Sequence, residues 1–508
     1  MKTLKTVVVV LMMVSMALAG GLVTNTNQSA YYVRTLNRNA STSIDAAYFN
    51  PAGLMKLDNG LHAYLSNQSI FQLKTIEADY NLGMNRSEFE GDVKAWLFPN
   101  FYLALKNDQW AVSAAAMPIG GGGSAVYDDG VPSFEQGIAQ IVPMFQQNGM
   151  SVTDYKYNVS FEGSSIYLGF QSGVSYELNE QLSLYAGARY VSASNAYEGY
   201  LKDIKFNFGG GEDFMLGTDY FYGLQSQLNT GGDNLQNLIN ADAGGYTLSQ
   251  LVSSGQLTDA QATQIKSGLI QAGVPETQVE NMDVSTLQST YYTLAEEMGG
   301  YGVMLEDKNL DATRYGYGFT GIFGVNYSPN EDLNIGVRYE TITKLTMEND
   351  TKTNTTGRSE FEDGVEIGSD MPALLAVGVS YQMSPQIRLE SSLNYYFSTN
   401  VDWDGREENL DNGMEAGLAL EYSLNENLSL SGGYLYAGTA ATPKYRSDLD
   451  YGLDSHTVGL GLGYKLTENL KLDLGALNTF YIEDENSDKS EIYNKTTLDY
   501  SLGVGYSF

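Results

Sequence analysis

The 508-residue chain has no cysteine, only two histidines, and 28 lysines plus arginines against 61 aspartates plus glutamates. Without cysteine there is no disulfide framework, thiol nucleophile or thiolate metal ligand. His62 and His456 are too few for an imidazole-based metal site. Asp454-Ser455-His456 places its three side chains on alternating faces of a strand, so one segment cannot assemble a catalytic triad. The acidic runs Asp448-Leu449-Asp450 and Glu483-Asp484-Glu485 lack a regular calcium-loop pattern and read as solvated loops. Gly120 to Gly123 lacks the Lys-Ser/Thr tail of a phosphate loop. These absences point away from an enzyme, a cofactor and a metal. The net charge of -33 repels nucleic acid and anionic surfaces. No Pro-rich or Ser-rich linker divides the chain, and beyond its start no apolar run reaches the roughly 18 residues needed for a spanning helix. Any crossing of a membrane has to use strands.

At the start, Lys2 and Lys5 precede the apolar run Val7 to Ala17, and Ala17-Leu18-Ala19 before Gly20 has the small-x-small cleavage pattern. Residues 1–19 are therefore expected to be a signal peptide. The chain is rich in aromatics, with 38 Tyr and 19 Phe, which suits the interfacial girdles of a membrane barrel. Period-two alternation recurs in segments of roughly ten residues. At the C-terminus Leu498, Tyr500, Leu502, Val504, Tyr506 and Phe508 alternate with Thr497, Asp499, Ser501, Gly503, Gly505 and Ser507. The same template predicts strands at 62–75, 96–106, 109–117, 163–178, 181–200, 314–328, 331–348, 371–383, 386–401, 412–424, 427–438, 454–466, 469–481 and 492–508.

Tight turns fall at every second junction: Lys106 to Gln109, Asn179-Glu180, Pro329 to Glu331, Ser384-Pro385, Asn425-Glu426 and Thr467-Glu468. The intervening junctions are longer. A soluble sandwich has no reason to sort loop lengths this way, whereas a barrel with both ends in the periplasm does. The expected fold is all-β: a transmembrane antiparallel β-barrel of about fourteen strands in a Gram-negative outer membrane. Its surroundings would be outer-membrane lipid and lipopolysaccharide. The terminal strand ending in Phe508 would engage the barrel-assembly machinery, and the protein is expected to be a monomer.

Residues 20–60 lack barrel alternation, and their apolar Ala46, Ala47, Tyr48, Phe49 and Leu54 invite burial. A hatch filling the lumen is expected there, with the barrel over 61–508 interrupted by extracellular insertions at 118–162 and 209–313. Both insertions carry helical signals. Ser133 and Gln136 have capping-box spacing ahead of Ile138, Ile141, Val142 and Phe145, and Thr258 and Gln261 repeat it before Ile265 and Leu269, with Gly273 to close that helix. Asp283 can cap another helix that Gly299 would end. A folded lid over the outer mouth is the expectation. The apolar set Ile138, Ile141, Val142 and Phe145 is the candidate surface for substrate capture. Strand faces opposite the lipid place Arg189, Arg338, Arg388, Glu340, Glu390, Glu415 and Glu421 in the lumen, either to meet a carboxylate headgroup or to brace the lumen by Arg–Glu pairing.

Several motifs in order resemble the FadL/TodX-type outer-membrane transporters of long-chain fatty acids and other hydrophobic compounds. They are Asn50-Pro51-Ala52-Gly53, Pro99 to Ala104, Met117-Pro118-Ile119-Gly120, Met371-Pro372-Ala373-Leu374 leading to Val377 to Tyr381, and the terminal Phe508. The resemblance implies passive uptake of a hydrophobic small molecule by loop capture, a lumenal pocket and sideways exit. It makes Asn50, Pro51, Ala52 and Gly53 the hatch turn and puts Pro118 with Gly120 where the third strand bends from the wall. The 209–313 insertion departs from the family's usual proportions. The alternatives are a general porin for small polar solutes and an adhesin using its long loops. Whether residues 21 to 57 fill the lumen separates the porin from the transporter.

Overall fold

The computed structural model describes residues 22–147 and 149–508, so the expected signal peptide lies outside the described residues. The chain forms two compact units. One comprises Met1–Ser133, Ser160–Gly199 and Asn309–Phe508; the other comprises Phe134–Val159 and Tyr200–Lys308.

The first unit is a closed antiparallel wall of 14 strands. In chain order they are Gly60–Ala78; Glu88–Ala95 with Asn100–Asn107; Trp110–Tyr127; Tyr155–Asn179; Leu182–Phe206; Lys308–Tyr327; and Leu333–Glu340 with Thr346–Asn354. Then follow Glu366–Gly368 with Leu374–Ser384; Ile387–Tyr396; Gly413–Ser423; Leu428–Gly438; Ser455–Lys465; Leu470–Tyr481; and Glu491–Ser507. The first strand pairs with the last from His62↔Ser507 to Ala78↔Glu491, which leaves no free edge.

Alternation explains why these residues form a wall. On the last strand Lys495, Thr497, Asp499 and Ser501 are buried, while Leu498, Tyr500, Leu502 and Val504 are exposed. Exposed apolar side chains cover the outer face of almost every strand. In water such a surface would drive aggregation; against lipid it is the required belt. Trp110, Tyr176, Tyr327, Tyr381, Tyr422 and Tyr464 are all exposed within a few residues of a tight turn. They form the aromatic girdle on that side.

Several strands differ in length from the sequence expectation, the fourth starting already at Tyr155, the fifth running to Phe206, the sixth starting at Lys308 and the ninth ending at Tyr396, and three more differ in kind. The third does not stop at residue 117 but continues to Tyr127 through register shifts at Pro118/Gly120 and Gly121/Gly123. The first bulge leaves Ile119 out of the ladder directly after Pro118, which is opposite Leu168, so the residue that lacks an N–H stands at an interruption of the pairing. The first insertion accordingly begins after Tyr127 rather than at 118. The second strand includes Glu88–Ala95, whose charged outer residues hide the alternation. The seventh is broken at 341–345, where Thr343 bridges Met371.

The second unit is built around two long helices, Gly217–Asn240 and Val284–Met304. Gly299 does not end the latter. It faces Gln225 and Gly302 faces Tyr222, where a side chain would collide, so these glycines permit close helix approach. The capping box Thr258/Gln261 is formed. Ser133 is no cap: Pro132 takes the first helical position of Pro132–Ala139, and the Ser133 N–H donates to Asp448 at 2.8 Å. Asp283 accepts the Thr286 N–H at 2.8 Å, and this bond holds its carboxyl below the ordinary range. Asp283→Ala is expected to cost about 1 kcal/mol of helix stability. The same contribution is present above the usual carboxyl pKa of 3.8 and fades as pH falls through the lowered value. Local hydrogen exchange over 284–290 measures both, and unchanged protection would refute the cap.

Candidate functional site: a filled lumen and a gap in the wall

Residues 22–57 are almost wholly buried. Ser29 caps the helix Ala30–Thr35 by accepting the Tyr32 N–H at 2.9 Å, and Leu36 at φ 60° ends it. This helix lies against strands ten to fourteen. The short helical turns Ala46–Phe49 and Pro51–Lys56 lie against strands two and three on another side of the cylinder. With Asn50 reaching Asn326 on the sixth strand, the segment touches walls across the cylinder and occupies the space between them.

Asn50, Pro51, Ala52 and Gly53 form a tight corner of this hatch. The Asn50 amide donates to the Ser41 carbonyl at 3.0 Å and to Asn326 Oδ1 at 2.7 Å. A methyl group on Gly53 would overlap the Ser41 carbonyl. Ser175 and Ser183 donate to the Pro51 and Ala52 carbonyls, each at 2.7 Å. On the other flank, methyl groups on Gly336, Gly378, Gly417, Gly433 and Gly459 would run into residues 33–40 and Asn50. Inward glycines thus cut a seat for the hatch across neighbouring strands.

The lumen arginines are paired with carboxylates. Arg189 makes a two-point bond to Glu340 at 2.7 and 2.8 Å, and Arg338 reaches the same carboxylate at 3.2 Å. Both guanidinium groups flank the Tyr48 ring, and Arg338 also donates to the Tyr48 carbonyl. Arg388 binds Glu421 at 2.7 Å and lies 3.5 Å from Glu390. Glu415 accepts from Asn394 at 2.7 Å and Tyr396 at 2.8 Å.

Sequence reasoning missed the hatch's own cations. Arg34 meets Asp473 at 3.0 Å and Glu421 at 2.5 Å. Arg38 holds Asp45 at 2.8 and 2.9 Å and Glu390 at 2.9 and 3.1 Å. The two stack on opposite sides of the Tyr31 ring, 3.8 and 3.7 Å from its centre. Two arginines four apart in a segment of small polar residues were the available signal.

Pro118 and Gly120 sit where the third strand leaves the regular wall. Met117 to Gly122 are consecutively buried, so alternation is lost. On the side of the second strand, pairing runs from Asn107↔Trp110 to Phe101↔Ala116 and resumes only at Val93↔Ala125 and Asp92↔Val126. The second strand is itself interrupted between Ala95 and Asn100. Trp96 and Leu97 flank the resulting gap, 65% and 78% exposed. The hatch backbone reaches the bulge: Asn25 donates its N–H to the Ile119 carbonyl at 2.8 Å and its amide to Gly121 at 2.6 Å.

A second feature is visible only in three dimensions. Leu22 joins Val401, Trp403, Leu410, Ala441 and Tyr445 in an apolar cluster among the long-loop residues. Val23 packs against both this cluster and the main core. Of the residues expected to capture substrate, Ile138, Ile141 and Phe145 are buried and Val142 is partly buried. Phe145 packs with Phe206, Phe221 and Tyr301 at ring-centre distances of 5.3, 5.0 and 5.9 Å. Their apolar face is the core of the second unit rather than an open surface.

A closed 14-stranded wall with an apolar outer belt and a filled lumen defines a plugged β-barrel of the outer-membrane type. Residues 344–491 match the family model described as "Putative MetA-pathway of phenol degradation". No curated protein matches the chain. Among solved structures, a Pseudomonas aeruginosa FadL homologue is 13% identical, with 98% of this chain and all of that one covered at a TM-score of 0.57. The Pseudomonas putida toluene transporter TodX is also 13% identical, with 92% and 95% covered at a TM-score of 0.52. The fold is therefore that of the FadL/TodX barrels.

Proposed function

We propose that this protein takes up hydrophobic small molecules across the outer membrane by passive diffusion, releasing them sideways through the gap between the second and third strands. The observation that carries this reading is the gap, bordered by the bulge at Pro118 to Gly123 and touched by the hatch at Asn25. An apolar solute gains nothing from a water-filled path but gains about 25 cal/mol per Å² of buried surface at each apolar station. Leu22 and Val23 link the outer cluster to the core, and the Val23 carbonyl lies against Gly120 at the bulge. The start of the hatch thus lies between that apolar cluster and the opening. A hatch anchored as described supports this reading over the steady aqueous path of a general porin.

The solute class follows the similar structures, whose substrates include toluene, and extends to long-chain fatty acids. Asn50, Pro51, Ala52 and Gly53 would set the rigid corner on which the hatch turns. The arginines Arg189, Arg338 and Arg388 brace the lumen, because their charges are already matched by Glu340, Glu390 and Glu421.

A cysteine-free chain makes the exit testable. A methyl group on Gly123 would lie 3.3 Å from the Ala95 Cβ at the lip of the gap, close to disulfide spacing of about 3.5–4.5 Å. The Ala95→Cys, Gly123→Cys pair is expected to lower uptake of labelled toluene and oleate when oxidised. A reductant should restore it. Uptake equal in the oxidised, reduced and wild-type proteins would refute lateral release.

A further inference from the structure

The outer loop between strands eleven and twelve turns into the mouth of the barrel, and residues 448–453 are buried without a break. Tyr451 stacks on Tyr493 of the last strand with ring centres 4.5 Å apart, and Lys495 donates to the Tyr451 carbonyl at 2.5 Å. Arg446 ties the two limbs of the loop together by donating to the Ala441 and Gly452 carbonyls at 2.8 and 3.2 Å. A methyl group on Gly452 would meet Leu22, so this strap lies over the start of the hatch.

The strap and the wall beneath it each carry a buried carboxyl that belongs to no ion pair among the described residues. Asp448 on the strap accepts the Ser133 N–H at 2.8 Å. Glu491, at the outer end of the last strand and above its lipid-facing residues, accepts from the Tyr80 and Tyr493 hydroxyls. The two lie within electrostatic reach of each other. Cations on the neighbouring elements are engaged elsewhere: Arg406 holds Asp450 at 2.5 Å, Arg446 meets Asp484 at 2.7 Å and Lys489 binds Glu485. Arg358 acts on Asp448 only through its field, being bonded to Glu360 at 2.8 Å. Lys74 stands over the Tyr451 ring, and Asp488 in the last loop adds a further negative charge. Two buried carboxylates so placed repel each other, and burial penalises the charge of each.

We propose that the strap is a proton-held latch, seated over the mouth while Asp448 and Glu491 retain a proton and released when both are ionised. Burial and the neighbouring Asp448 push the Glu491 carboxyl up to about 7, and burial raises that of Asp448. Protons therefore bind the seated strap more tightly than the released one. Their contribution is complete below the ordinary carboxyl value of 4.5, is lost as pH rises toward about 7, and is gone above it. Over that range the released fraction should rise by about two orders of magnitude. The latch stands apart from the uptake reading, because the seating of the strap is measured with no solute present.

The test is hydrogen exchange in the full-length barrel purified in detergent, from about pH 5 to about pH 8, with each rate divided by the intrinsic rate at that pH. The Tyr445, Ser447 and Asp450 amides, which donate to Thr442, Asp450 and Ser447, report on the strap. Their protection should fall steeply with rising pH, while that of the helix Val284–Met304 stays level. Glu491→Gln should keep the strap protected throughout. Asp448→Asn, which can still accept the Ser133 N–H, should shrink the loss, so the idea remains testable if Glu491→Gln fails to fold. Asp488→Asn, an exposed acid of the last loop, should retain most of the wild-type response. Strap protection that does not change with pH in the wild type would overturn the latch, as would the full wild-type loss in both Glu491→Gln and Asp448→Asn.

Discussion

Arg38→Ala should convert a closed barrel into a conducting one. Arg38 is buried and is shared between Asp45 of the hatch and Glu390 of the ninth strand. Removing it leaves two buried carboxylates facing each other, and breaking a buried pair in this way costs about 3–5 kcal/mol. The cheapest relief is for the segment carrying Asp45 to swing away and let water reach both groups. Planar-bilayer recordings should then show a steady conductance that the wild type lacks, and the denaturation midpoint of the hatch should fall. Arg38→Lys should lie between, because a single ammonium cannot reproduce the fork that binds both carboxylates. Wild-type conductance and stability in Arg38→Ala would mean that the ion pair is not what holds the hatch.

Gly433→Leu should have a comparable effect for a steric reason. A methyl group there would overlap the Thr35 carbonyl, which is backbone and cannot rotate away. Overpacking commonly costs about 1–3 kcal/mol even where side chains can adjust, so residues 33–40 are expected to leave their seat. The adjacent Gly432→Leu is the control, since its nearest neighbour is the flexible end of Leu460. Hydrogen exchange over the helix Ala30–Thr35 should rise in the first variant and not in the second. Equal exchange in both would show that the wall yields instead of the hatch.

The wall was legible in the sequence because a strand's side-chain period is two and a membrane demands opposite chemistry on its two faces. Leu498 to Tyr506 name the lipid face directly. The inward face was harder to read. Alternation says that Gly417, Gly433 and Gly459 point inward, but the backbone they face lies several hundred residues away. Ion-pair partners are hidden for the same reason: Glu390 and Glu421 on the wall could be placed in the lumen, but nothing local tied them to Arg38 and Arg34. Local rules also misread two breakers. Pro118 looked like the end of a strand and is a bulge within one, and Gly299 looked like a helix stop and is a point of close helix contact. In each case a long-range neighbour chose among conformations that the local sequence permits.

Hydrogen bonds reach the hatch from all round the cylinder, as from Ser175, Ser183 and the bulge, but its ion pairs and close steric seats are unevenly distributed. The glycine seat and the partners of Arg34 and Arg38 come from strands seven to thirteen, from Gly336 to Asp473. The missing ladder bonds lie between strands two and three, from Ala116 to Ala125. One arc of the barrel is bolted to its contents and the opposing arc is seamed. A load spread over such a ring is taken up at the seam, so the plug makes the wall anisotropic. The part that blocks the lumen is also the part that decides where the wall yields.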